Sequence, residues 1–144
     1  MSERIETTAI RNLIHNEEYC RKVLPFIKEE YFTDRLEKLL FTEIYKFVNK
    51  YNNLPTKESL SIEMNTNKGV SEDEYKKMNE IISSLNPEPI NLDWLVETTE
   101  VWCKDRAIHN AILGGIQILD GKDKDHTPEY LPEMLTEALS VSFD

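Results

Sequence analysis

The histidine and cysteine side chains able to ligate a metal or act as nucleophiles are His15, Cys20, Cys103, His109 and His126. None stands in a C-x-x-C or H-E-x-x-H spacing, the arrangements that bring ligands to one point. Cys103 and His109 are six residues apart, which sends them to different sides of a helix. Cys103 reads as a small core residue. His109 reads as a satisfied helix histidine or a polar group at an interface. Phosphate chemistry has no better footing, because Gly69, Gly114, Gly115 and Gly121 never approach a G-x-x-x-x-G-K-[ST] loop. With 27 acidic residues some carboxylate pair is inevitable, yet none is set in apolar surroundings that would raise one pKa. Ser/His/Asp combinations are equally unmarked. The expectation is therefore a chain with no catalytic, cofactor-binding or metal-ligating residue of its own, and no enzyme in its own right.

The elements that would carry any site are helices. Ile5, Ala9 and Leu13 recur every four residues, with Ile10 and Ile14 beside them, predicting a first helix that ends near His15-Asn16. A short helix follows over Glu17–Leu24, stopped by Pro25. Leu36, Leu40, Ile44 and Val48, widened by Phe41, Tyr45 and Phe47, predict a third from about Asp34 to Tyr51. Thr56 is a fitting N-cap for a helix carrying Leu60 and Met64. Ser71 and Glu74 form an S-x-x-E capping box before Tyr75, Met78, Ile82 and Leu85. Asn86-Pro87-Glu88-Pro89 is the clearest break. A long helix from about Leu92 to Leu119, a polar turn, and a last helix with Leu131, Leu135, Ala138 and Val141 complete the chain. Pro132 sits in that last helix's first turn, where a missing N–H costs little. The fold class expected is all-α: a helical globular head, residues 1–86, then a two-helix antiparallel hairpin, residues 91–144, in one structural domain.

The long helix is the unusual element. Its first half mixes Leu95, Val101 and Trp102 with Glu97, Glu100, Lys104, Asp105 and Arg106; its second half, Ala107 to Leu119, is apolar almost all round. A helix covering a single core needs only one apolar stripe. A chain of 144 residues cannot wrap such a helix completely, so another copy of the chain is the expected cover. Gly114-Gly115 would let a second helix approach closely, or would be a flexible point. Trp94 and Trp102 suit either buried hairpin packing or an anchor at an interface.

The net charge of −10 is uneven. Residues 1–77 carry 13 basic and 14 acidic side chains, and residues 78–144 carry 4 and 13. The acidic half repels phosphate, so little or no direct nucleic-acid binding is expected, and a basic protein partner suits it better. Two cysteines make no disulfide framework, no signal peptide is visible, and the longest apolar run is short of a membrane span. A soluble intracellular protein without membrane contact is expected.

Several short motifs, in order, resemble a known family. An apolar pair precedes Lys28-Glu29-Glu30-Tyr31-Phe32. A helix with Leu39-Leu40-Phe41-x-x-Ile44 follows, then Leu54-Pro55 and Leu60. The hairpin adds Trp94-Leu95-Val96-x-x-Thr99-Glu100, Arg106-Ala107 and Ala138-Leu139-Ser140-Val141-Ser142-Phe143-Asp144. The set resembles the N-terminal domain of DnaB-type replicative DNA helicases, in particular those of T-even-like tailed phages. Thr7-Thr8-Ala9-Ile10-Arg11 departs from it, lacking the glycine-containing opening of the bacterial members.

The resemblance implies a collar domain that pairs through its hairpin into dimers, and into a trimer of dimers in a hexameric helicase. It implies primase as a docking partner, a helicase loader as a further one, and the cytoplasm of a bacterial host as the setting. ATP and Mg would belong to a following motor domain, so the chain would be a piece of a longer DNA-unwinding enzyme. For self-association the residues singled out are Trp102, Ile108, Ile112, Gly115, Ile116 and Leu119. The rival reading is a free-standing helical adaptor, such as a helicase loader or a regulator of a host protein.

Overall fold

Side-chain caps open most of the helices, each at a residue whose short polar side chain can reach back to the first free backbone amides. The structure is a computed structural model describing residues 3–144. α1 (Ile5–His15) runs straight into α2 (Glu17–Val23), where Asn16 accepts the Tyr19 amide at 3.0 Å. Asp34 accepts the Glu37 amide at 3.0 Å to open α3 (Arg35–Tyr51), and Asn52 closes it in the left-handed region, φ 52°. Reciprocal capping boxes open α4 (Lys57–Thr66), through Thr56 and Ser59, and α5 (Glu72–Ser84), through Ser71 and Glu74. Asn91 accepts the Trp94 amide at 2.9 Å and starts α6 (Leu92–Leu119). α7 (Leu131–Leu139) carries its proline in the first turn, as expected. Among the described residues there is no strand, so the all-α class holds.

Two short 3-10 turns, Glu29–Tyr31 and Pro128–Tyr130, join this framework. The first carries Tyr31 into the core beside Phe32. α7 stops at Leu139, so Val141 lies beyond the helix, half-buried against the core. Tyr45, placed with the α3 stripe from its spacing, is 44% exposed, because Leu40, Phe41 and Ile44 already fill the side of α3 that meets the core.

α6 serves two environments in succession. Its first half is part of the head: Leu95, Thr99, Trp102 and Cys103 are buried among α1, α2 and the 3-10 turn at 29–31. Its charged residues Glu97, Lys104 and Asp105 lie on the outer side, exposed to water. In its second half the buried residues are Ala111, Gly115 and Ile118, on the side met by α7. The glycines explain how closely α7 sits. A Cβ on Gly115 would lie 3.1 Å from Leu131 Cδ2, and one on Gly114 3.5 Å from Met134 Cε. The second helix that the Gly-Gly pair admits is therefore α7. After α7 the chain returns to the head: Phe143 stacks on Phe26 with centroids 4.9 Å apart, and its amide donates to Glu100 Oε2 at 2.7 Å.

One buried polar link ties α2 to α6. The Tyr19 hydroxyl lies 2.7 Å from Thr99 Oγ1, and the Thr99 hydroxyl donates to the Leu95 carbonyl at 2.7 Å. Burial pushes the Tyr19 phenol well above its ordinary value, so it stays a neutral donor. Thr99→Val keeps the volume but strands that donor. The expected cost is about 1–3 kcal/mol in urea denaturation, partly recovered in the Tyr19→Phe, Thr99→Val double variant.

Candidate assembly surface

The side of α6 turned away from both the head and α7 is apolar. At about 100° per residue, Trp94, Val101, Ile108, Ile112 and Leu119 fall in one narrow stripe, with steps of 7, 7, 4 and 7 residues. Val101 is 59% exposed, Ile112 52% and Leu119 66%, while Ile108 is half-buried. Ile116 and Leu113 widen the stripe, and α7 adds exposed Leu135 and Leu139. Single exposed apolar residues are ordinary on a protein surface; a continuous row along one helix marks a contact face.

Of the six residues singled out from the sequence, four lie on this side: Ile108, Ile112, Ile116 and Leu119. Two do not. Trp102 is 7% exposed, with its ring edge-on to Phe32 at 5.1 Å and to Tyr31 at 6.2 Å. Gly115 is buried under Leu131. Both therefore stabilise the fold beneath the stripe rather than form its surface. Sequence reasoning passed over Val101, although it stands seven residues before Ile108. Trp94, left open between packing and anchoring, is 53% exposed at the head end of the stripe.

Four ionisable side chains border or interrupt the row. Asp105 and His109 lie on one flank, Glu97 and Lys104 on the other, and all four are exposed. Among the described residues none of the four has a side-chain hydrogen bond or ion pair within the chain.

The remaining chemistry-bearing residues have structural duties. Cys20 and Cys103 are buried, and burial pushes their thiols up to about 11 and about 12, so neither is a thiolate at neutral pH. His15 Nε2 lies 2.6 Å from the Leu85 carbonyl oxygen, tying α1 to the end of α5. His126 Nδ1 lies 2.9 Å from Asp123 Oδ2 in the hairpin turn. That hydrogen bond, with the Asp125 amide, holds the Asp123 carboxyl below its ordinary range. Among the described residues no group of three or more His, Cys, Asp or Glu side chains is placed to hold a metal ion. Among the described residues no helix is long and apolar enough to cross a membrane.

Comparison with known proteins agrees with the resemblance read from the motifs. The chain is 32% identical, over 143 residues and 94% of its length, to a DnaB-like replicative helicase of Enterobacteria phage T4. It spans 30% of the length of that protein. No family model matches the chain.

Proposed function

We propose, from the premise that this chain is a relative of a phage DnaB-like replicative helicase, that it is the collar domain of such a helicase. Its work in DNA replication is mechanical: the outward face of α6 pairs with a second copy, pairs close into a collar, and the collar docks primase. The observation that carries the reading is the exposed row Val101–Ile108–Ile112–Leu119, continued by Leu135 and Leu139 on α7. Covering it removes apolar surface from water at about 25 cal/mol per Å², and about 800 Å² per partner is the normal scale of a stable contact. The acidic second half of the chain, with 13 acidic against 4 basic side chains, suits a basic face on primase and disfavours a direct grip on DNA.

The chain's glycines form no phosphate-binding loop of the G-x-x-x-x-G-K-[ST] kind. Gly114 and Gly115 are inside α6 against α7, and Gly121 follows α6 at φ +73° with no G-K-[ST] after it. ATP and Mg2+ act in a motor domain of the full-length helicase, in the cytoplasm of a bacterial host.

Sedimentation velocity of the chain with and without primase from the same replication system tests the reading. The expected result is a dimer or larger species that co-sediments with primase. A monomer that ignores primase at about 100 µM, far above the dissociation constant of a standard-sized interface, would overturn it.

A further inference from the structure

We propose that the strap after α7, Ser140 to Asp144, is a releasable clasp that holds α7 down on α6, so that opening it lifts α7 and bares the covered side of α6. The inference concerns the single copy and stands whether or not copies pair. α7 is nine residues long, shorter than the roughly 12–15 residues at which an isolated helix becomes even marginal in water. Its place therefore depends on what it touches. Among the described residues it packs against one other helix, α6, and against the 3-10 turn that leads into it. That contact is apolar: Leu131 lies over Gly115, Met134 over Gly114, and Ala138 is buried. Among the described residues no side-chain hydrogen bond or ion pair joins α7 itself to α6 or to the head.

A groove of about 290 Å³ runs between α7 and the head, with Glu30 and Tyr31 on the head side and Met134, Glu137 and Val141 on the other. The strap fastens the two sides together. Val141 is half-buried against the core, and Phe143 stacks on Phe26 of the loop after α2. The Phe143 amide donates to Glu100 Oε2 at 2.7 Å, and Ser142 Oγ lies 3.4 Å from the same oxygen. Phe26 and Glu100 belong to the head, so the far end of α7 is tied there and not to its hairpin partner.

These contacts suit release. Ser142 and Asp144 are exposed, and Phe26 and Phe143 are only half-buried. The stack and the amide hydrogen bond are both made by Phe143, so they are lost together, which makes the clasp a two-state element. Once it opens, a nine-residue helix is held by apolar contact alone. Lifting that helix exposes Ala111, Gly115 and Ile118. The position of Phe143 thus sets how much of the apolar second half of α6 meets water.

Hydrogen–deuterium exchange of the chain, Phe143→Ala, Ser142→Glu and Phe143→Tyr, read by mass spectrometry of peptides, tests the clasp. Phe143→Ala removes the stack. Ser142→Glu puts a second carboxylate beside Glu100 from an exposed position. Phe143→Tyr keeps the ring. In the first two variants, peptides from α7 and from residues 111–118 should exchange at least about fivefold faster, the scale of one lost aromatic pair. Peptides from α1 and α3 should keep the rates of the unaltered chain, and Phe143→Tyr should behave like that chain throughout. Each sample is measured at two concentrations, so protection lent by a second copy is recognised as the part that changes with concentration. Unchanged α7 exchange in Phe143→Ala would overturn the clasp. Exchange that rises equally in α1 and α3 would overturn it too, because the strap would then only add to general stability.

Discussion

Trp102→Ala is expected to destabilise the fold by about 3–5 kcal/mol, the range for removing a buried tryptophan from a core. Trp102 is 93% covered and lies between Phe32 and Tyr31, where the first half of α6 enters the head. Truncation leaves a cavity that neither aromatic ring can fill without moving the 3-10 turn. A domain of this size is stable by about 5–15 kcal/mol in total, so the loss should lower the melting temperature by roughly 10 °C. Among the described residues Trp102 Nε1 has no hydrogen-bond partner, so Trp102→Phe gives up packing area and no polar contact within them. It should cost well under half as much. Thermal and urea denaturation followed by circular dichroism measures both. A loss below about 1 kcal/mol for Trp102→Ala would mean that the ring is not part of the core.

Ile112→Asp should do the opposite: little to folding and much to assembly. Ile112 is 52% exposed in the single copy, so the substitution should change unfolding free energy by no more than about 0.5 kcal/mol. In a two-fold contact it places two carboxylates in an apolar row, each losing solvent without a counter-charge. Self-association should weaken at least about 100-fold, or about 2.7 kcal/mol. The contrast between Trp102 and Ile112, ten positions apart on one helix, separates the fold's own core from the assembly face.

That contrast also shows where sequence reasoning was sufficient. The starts of α4 and α5 were legible because Thr56 and Ser71 are cap residues with one local job; the structure shows Asn16, Asp34 and Asn91 doing the same for α2, α3 and α6. α5 was legible to its last turn, since Met78 and Ile82 face a single core and recur at helical spacing. α6 was harder. Its buried side is Leu95, Thr99, Trp102 and Cys103 in the head, then Ala111, Gly115 and Ile118 against α7. These two sets are rotated by more than a third of a turn at about 100° per residue, so no single period describes the helix. Apolar composition could mark the second half as unusual but could not say which residues α7 would cover.

The assignments of Trp102 and Gly115 follow from this. Its residue type lets Trp102 suit buried packing or an interface anchor, and it stands among the self-association candidates on the second ground; its direction depends on where the head lies, and that is set by residues far away in sequence. Gly115 was read as room for a neighbouring copy; the neighbour it admits is α7 of the same chain. The return of Phe143 to Phe26 joins residues more than a hundred positions apart with no local signal for it.

The most direct test of the assembly face is the weight-average mass of the chain and of Ile112→Asp by sedimentation equilibrium from about 1 to about 100 µM, a range that brackets ordinary interface affinities. The account predicts mass rising with concentration toward at least a dimer for the chain, and a folded monomer throughout for Ile112→Asp. A chain that stays monomeric across the range, or an Ile112→Asp variant that assembles as well as the chain itself, would contradict it.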